Sequence, residues 1–153
     1  MFRISDATSL AMHTMVLLAG APGEVVSTRR IAGALNASEA HLSKVLQRMV
    51  KAGLVRSIRG PKGGFQPARP CDTMTLLDIY EAIEGPLIEK RCLLPQPVCD
   101  GTDCILGELL AQTNQQMREL LSHTTLGTLG SRIGRGALSA NIKSEDRDEG
   151  HAS

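Results

Sequence analysis

Three cysteines, Cys92, Cys99 and Cys104, stand close together in the chain with the spacing C-x6-C-x4-C. Thiolates are soft metal ligands and nucleophiles, and several on one segment suit an inorganic centre or redox chemistry. Pro95, Pro97 and Gly101 lie among them. The stretch 87–103 has no helical or strand period, and its prolines reduce the entropy lost when a loop orders. Three chemistries stay open. Buried inert thiols are one, although a loop with two prolines makes a poor core. Zinc is another, but zinc loops usually pair cysteines as C-x2-4-C, which is absent here. An iron-sulfur cluster is larger than one ion and accepts wider spacing. Cys71, beside Pro70, falls outside the loop and is read as structural or incidental.

A second chemistry is written in charge. The chain of 153 residues carries a net charge of only +1. Residues 1–70, however, hold ten Lys and Arg against three Asp and Glu, whereas residues 71–135 hold five against nine. A basic first half points to a polyanionic partner, against the plainer alternative of a solvated basic face. The elements decide between them. Ser5 can cap a helix with Ala7, Leu10, Ala11, Met15 and Leu18 on one stripe, closed by Gly20 to Gly23. Ser27 can cap a short second helix that ends at Asn36, and Ser38 a third with Leu42, Val45, Leu46, Met49 and Val50 inward, ended by Gly53. Two short helices around Asn36-Ala37-Ser38 form the pattern of a helix-turn-helix.

The second helix of such a pair enters the major groove, N-terminal residues first. Ala40, His41 and Lys44 are thus the expected base readers after Ser38, with Arg48 on the phosphate backbone. Leu54 to Ile58 and Phe65-Gln66 read as two strands joined by Arg59-Gly60-Pro61-Lys62-Gly63-Gly64, a hairpin wing whose Arg59 and Lys62 suit the minor groove or phosphates. A helical bundle has no need of a basic hairpin. The glycine-rich turn lacks the G-x-x-x-x-G-K-[ST] spacing of a nucleotide cradle and opens no helix.

Behind the wing, Thr75 and Asp78 make a capping-box start for a fourth helix stopped by Gly85-Pro86. After the cysteine loop, Leu106, Leu109, Leu110, Thr113, Met117, Leu120 and Leu121 form one apolar stripe on a helix of about four or five turns. With little chain left to cover it, the stripe is expected to pair with its copy in a homodimer. The expected organisation is a winged helix-turn-helix domain over 1–85, a cysteine loop over 86–104, a dimerisation helix region over 105–135 and a disordered tail over 136–153.

The composition agrees with a mainly α fold. With 42% hydrophobic residues but only two Phe, one Tyr and no Trp, the core must be aliphatic. No apolar run approaches the length of a membrane span, and the chain reads as cytoplasmic, with no membrane partner. There is no nucleophile, base and orienting group in sequence, so no enzyme is expected.

The string Leu54-Val55-Arg56-Ser57-Ile58-Arg59-Gly60-Pro61-Lys62-Gly63-Gly64-Phe65, followed by Leu76-Leu77-Asp78-Ile79-Tyr80-Glu81-Ala82-Ile83-Glu84-Gly85 and the cysteine trio, resembles the bacterial iron-sulfur transcription regulators of the IscR and NsrR type. The likeness runs over residues 1–130. It implies a homodimeric DNA-binding regulator, a repressor, whose 2Fe-2S or 4Fe-4S cluster is held by Cys92, Cys99 and Cys104 and sets affinity for a double-stranded operator. Such a cluster would sense redox state, nitric oxide or iron supply. Two departures bear on the fourth ligand. The IscR-type histidine, three residues after the last cysteine, is Gly107 here; the NsrR-type acidic position in the first helix falls on Ser9, one turn after Asp6. Another branch of the family uses a histidine in that helix, and His13 matches it. Two alternatives remain: a cluster-free regulator with thiol-based sensing, and an iron-sulfur protein that binds no DNA.

Overall fold

The computed structural model describes residues 3–88 and 90–133. The N-terminal half follows its capping residues. Helix α1 (Asp6–Ala19) starts at Ser5, whose hydroxyl accepts from the Thr8 amide at 3.2 Å. Helix α2 (Thr28–Leu35) starts at Ser27 and stops at Asn36, which turns left-handed at φ 49. Helix α3 (Glu39–Lys51) follows from Ser38. Each cap satisfies an amide that the first helical turn leaves unpaired.

Strands β1 (Val55–Ile58) and β2 (Gly64–Pro67) pair antiparallel, with Arg56 opposite Gln66 and Ser57 opposite Phe65. The wing is anchored to the body by Val26, which exchanges two backbone hydrogen bonds of 2.9 Å with Phe65. A Cβ at Gly64 would collide with the Val26 carbonyl, so the last glycine of the turn is required by this close approach. A 3-10 turn at Cys71–Thr73 leads to α4 (Leu76–Glu84), which opens with the reciprocal Thr75 and Asp78 capping box. The cysteine loop follows, then α5 (Ile105–His123) and α6 (Leu126–Ile133).

One aliphatic core joins Ala11, Met15 and Leu18 of α1 to Ile31, Leu42, Leu46, Met49, Leu54, Met74 and Ile79. Leu126 of α6 is fully buried in it. The sequence reading singles out no element after α5, so α6 is a difference with a physical cause: Leu76 N bonds Thr124 O at 3.0 Å and Leu126 N bonds Met74 O at 2.9 Å. This short backbone pairing returns the chain to the core. The region 105–135 therefore contains two helices with different surroundings, and its last residues, like the tail over 136–153, lie outside the described residues.

The apolar stripe on α5 is divided. Leu110 and Leu121 are buried, and Leu121 packs with Tyr80 and Leu87 in a second small cluster. Leu106, Leu109 and Leu120 are 57%, 61% and 60% exposed, a second row offset from the first around the same helix. One helix thus presents leucine to its own domain and to the outside. Among the described residues no helix is long and apolar enough to cross a membrane.

Candidate functional site

Helix α3 packs Leu42, Val45, Leu46 and Met49 against the core and leaves Ala40, His41 and Lys44 exposed. The Ser38 hydroxyl is engaged as the helix cap, accepting from the His41 amide at 3.2 Å. Arg48 is exposed as well, and it has a partner within the chain. Its guanidinium reaches α4 and donates to the backbone carbonyl of Ile83. Arg59 and Lys62 are exposed at the wing tip. Neither they nor Lys44 forms an ion pair among the described residues, whereas Arg69 pairs with Asp78 at 3.3 Å.

Arg56 belongs with these cations and was not singled out from sequence. Its cross-strand neighbour Gln66 accepts from both Nε and an outer guanidinium nitrogen at 2.6 Å, in the amide orientation that satisfies both groups. The signal was the strand alternation: Val55 is buried, so Arg56 must face outward.

The three cysteines converge on one cleft. Cys92, Cys99 and Cys104 line a space of about 840 Å³, together with Asp100, Asp103 and Glu108. Cys104 caps α5, its sulfur accepting from the Gly107 amide at 3.3 Å. A Cβ on Gly107 would lie 2.6 Å from the Arg91 carbonyl, so the loop backbone occupies the place where a side chain would stand. Hydrogen bonds from Thr102 hold the Asp100 carboxyl below the usual carboxylate range. No group of three or more His, Cys, Asp and Glu side chains among the described residues is already assembled to hold one metal ion. The donor set itself, three thiols and three carboxylates around one roomy cleft, fits a cluster better than a single tetrahedral ion. Cys71 is remote from this cleft's lining; it packs against the core, and burial, aided by the charge of Asp72, pushes its thiol up.

His13 and Asp6 lie elsewhere. With Ser9, Asn36 and His41 they line a cleft of about 450 Å³ between α1 and the helix-turn-helix turn. His13 Nδ1 donates to the Ser9 carbonyl at 2.7 Å, which leaves Nε2 as the ring's free nitrogen. Neither residue lines the cysteine cleft of its own chain.

The loop is rooted on α4 and α5. Leu87 N donates to Glu81 Oε1 at 3.2 Å, Arg118 of α5 donates to the Leu87 carbonyl, and Asn114, only 1% exposed, reaches the Lys90 carbonyl at 3.5 Å.

A helix-turn-helix with a basic wing anchored on its own core defines a winged-helix regulator of transcription. A model of the Rrf2 family, described as iron-dependent transcriptional regulators, matches residues 4–132, and the chain belongs to that family. It is 32% identical to the HTH-type transcriptional regulator CymR of Bacillus subtilis over 130 residues, 84% of this chain and 90% of that protein. It is also 30% identical to the putative HTH-type transcriptional regulator YwgB of the same organism, over 86% of each chain. The solved structure of CymR, the global cysteine regulator of B. subtilis, superposes with a TM-score of 0.75 at 30% identity, covering 87% of this chain and 99% of that one. The structure of T. potens IscR shares the fold at 23% identity, with a TM-score of 0.67 over 99% of this chain and 93% of that one.

Proposed function

We propose that the protein is a homodimeric repressor whose operator affinity is controlled by an iron-sulfur cluster in the cysteine loop. Residues 1–85 bind double-stranded DNA, residues 86–104 hold the cluster, and the outer row of α5, Leu106, Leu109 and Leu120, forms the dimer seam. Ala40, His41 and Lys44 read the major groove, while Arg59 and Lys62 reach the minor groove or the phosphates beside it. Cys92, Cys99 and Cys104 are the cluster ligands. A bound cluster supplies a centre whose oxidation state, nitrosylation or loss changes the charge and shape of the loop. The chain's own part is to carry that change: the loop root is bonded to Glu81 on α4 and to Arg118 and Asn114 on α5.

The observation that carries this reading is the convergence of three cysteines from an irregular loop on one cleft that also contains three carboxylates. Anaerobic purification with iron and sulfide analysis and a visible spectrum tests it. Iron and sulfide in equal amounts, lost in each Cys→Ala variant, is the expected result; iron-free protein with intact DNA binding overturns the cluster.

A second reading has its own support. The chain is similar to CymR, described as a global cysteine regulator, and at 28% identity to the oxidised form of Staphylococcus aureus CymR. On that reading Cys99, the most exposed of the three thiols, is the redox-active group and no iron is bound. The same preparation separates the two, because only the thiol reading predicts DNA affinity that responds to oxidant without iron.

A further inference from the structure

We infer that Arg48 is a positioning residue, which holds the recognition helix α3 against α4 through the Ile83 carbonyl and does not contact DNA phosphate. This rests on the reading that α3 enters the major groove. Arg48 lies in the last turn of α3 and Ile83 in the last turn of α4, 35 positions apart in sequence. The final carbonyls of a helix have no partner within it. At the end of α4 the Gly85 amide takes the Glu81 carbonyl at 3.0 Å, and the Arg48 guanidinium takes that of Ile83. Ile83 is only 4% exposed, so its surroundings offer little water in exchange, and a cation at a helix C-terminus is favoured by the helix dipole.

The platform that Arg48 grips is itself held. Glu84, the next residue, accepts from Ser5 N at 3.2 Å and from the Thr8 hydroxyl at 2.5 Å, which fixes the end of α4 to the start of α1. The inner face of α3 is fixed by Leu42, Val45, Leu46 and Met49, and the hydrogen bond from Arg48 adds a directional contact at its last turn. The nitrogen that meets the Ile83 carbonyl cannot turn to a phosphate without leaving that carbonyl short of the partner it has here. Lys44, Arg59 and Lys62 make no such hydrogen bond or ion pair among the described residues, which divides the basic side chains of this face by role.

The test uses the full chain and a duplex that the wild-type protein selects from a random library. Affinity is measured against salt for wild type, Arg48→Met, Arg48→Lys and Lys44→Ala, with thermal melts confirming that each is folded. Arg48→Met is expected to weaken binding by about tenfold at every salt concentration while leaving the salt slope at the wild-type value. Arg48→Lys, which keeps a donor of similar reach, is expected to recover most of the loss. Lys44→Ala, which removes a cation from the DNA face, is expected to lower the slope by about one unit, the mark of one charge fewer against the polyanion. A slope lowered by about one unit in Arg48→Met, or an unchanged affinity, overturns the positioning role. If Arg48→Met does not fold, Arg48→Gln carries the same expectations and the same overturning outcomes. Failure of the wild type to select any duplex would sink the DNA-binding reading itself, and with it this one.

Discussion

The Thr8 hydroxyl donates to Glu84 Oε1 at 2.5 Å, joining residues 76 positions apart. Thr8 is fully buried and the Glu84 side chain is 14% exposed, so the bond is shielded from water. Hydrogen bonds from Ser5 and then Thr8 hold the Glu84 carboxyl below its ordinary range, with a smaller contribution from Arg3.

Removing this carboxylate should destabilise the fold. Glu84→Ala leaves the buried Thr8 hydroxyl and the Ser5 amide without their acceptor, a cost of about 1–3 kcal/mol by urea unfolding. Glu84→Gln keeps an acceptor and should cost less. A group whose carboxyl is lowered on folding adds stability above its unfolded value, and that stability is lost as pH falls through the folded value. The gap between wild type and Glu84→Gln is thus expected near neutrality, should begin to narrow as pH falls through the ordinary glutamate range, and should close only below the lowered folded value. A gap independent of pH would show that the charge contributes nothing.

For the DNA face, Arg59→Ala and Lys44→Ala should each weaken operator binding and lower its salt slope by about one unit, with the dimer intact. Sedimentation and binding isotherms on the same preparations check both halves. Unchanged affinity and slope in both variants would remove α3 and the wing from the interface.

Much of this architecture was legible because its signals are local. Ser5, Ser27, Ser38 and the Thr75 and Asp78 pair act as caps where their positions relative to the apolar periods placed them. The glycine turn became a wing for the same reason. What escaped depended on contacts distant in sequence. Helix α6 contains Gly127 and Gly130, which lower its intrinsic helix propensity, and it is held instead by Leu126 in the core and by the backbone of Met74. Arg48 is exposed on α3 as its position in the helix implies, and what the sequence does not show is the acceptor its guanidinium finds on another helix, the Ile83 carbonyl. The stripe on α5 was legible as apolar yet not as two rows, because periodicity alone does not say which side another element covers.

Those two rows should separate by mutation. Leu109→Glu or Leu120→Glu puts a charge on the outer row and is expected to give a folded monomer in sedimentation, with weaker binding to a palindromic site. Leu121→Ala, on the inner row, should instead lower stability by about 2–5 kcal/mol. An undisturbed dimer in both outer-row variants returns that face to solvent.

Gly107 provides a test of the cysteine cleft. Because a Cβ there would lie 2.6 Å from the Arg91 carbonyl, Gly107→Ala must displace the loop beside Cys92 and Cys104. The expected outcome is reduced iron retention after anaerobic purification, with the melting temperature of the winged-helix core nearly unchanged. Gly107→His should fare no better, since its imidazole enters through the same collision. Iron content equal to wild type in Gly107→Ala would mean that the Arg91 backbone moves away from Gly107 when the loop is loaded.

The fourth ligand gives the last prediction. Three thiolates leave one ligand position of a four-ligand cluster to fill, and the cysteine cleft offers Asp100, Asp103 and Glu108 from its own chain. His13 lies in the other cleft, so it can complete the site only across a dimer, from the α1 of the second subunit. Its Nδ1 is committed to the Ser9 carbonyl, an arrangement that orients a histidine for ligation through Nε2. Mixed dimers decide the matter. If His13 acts across the interface, pairing a His13→Ala chain with a Cys92→Ala chain places both defects in one site and leaves the other intact. Such a heterodimer should hold about half the wild-type iron, although each variant alone holds little. If ligation is within one chain, the mixed dimer has one defect in each site and stays empty. Full iron in His13→Ala homodimers removes the histidine from the ligand set, and Asp100→Ala, Asp103→Ala and Glu108→Ala are then the variants in which the visible spectrum should change.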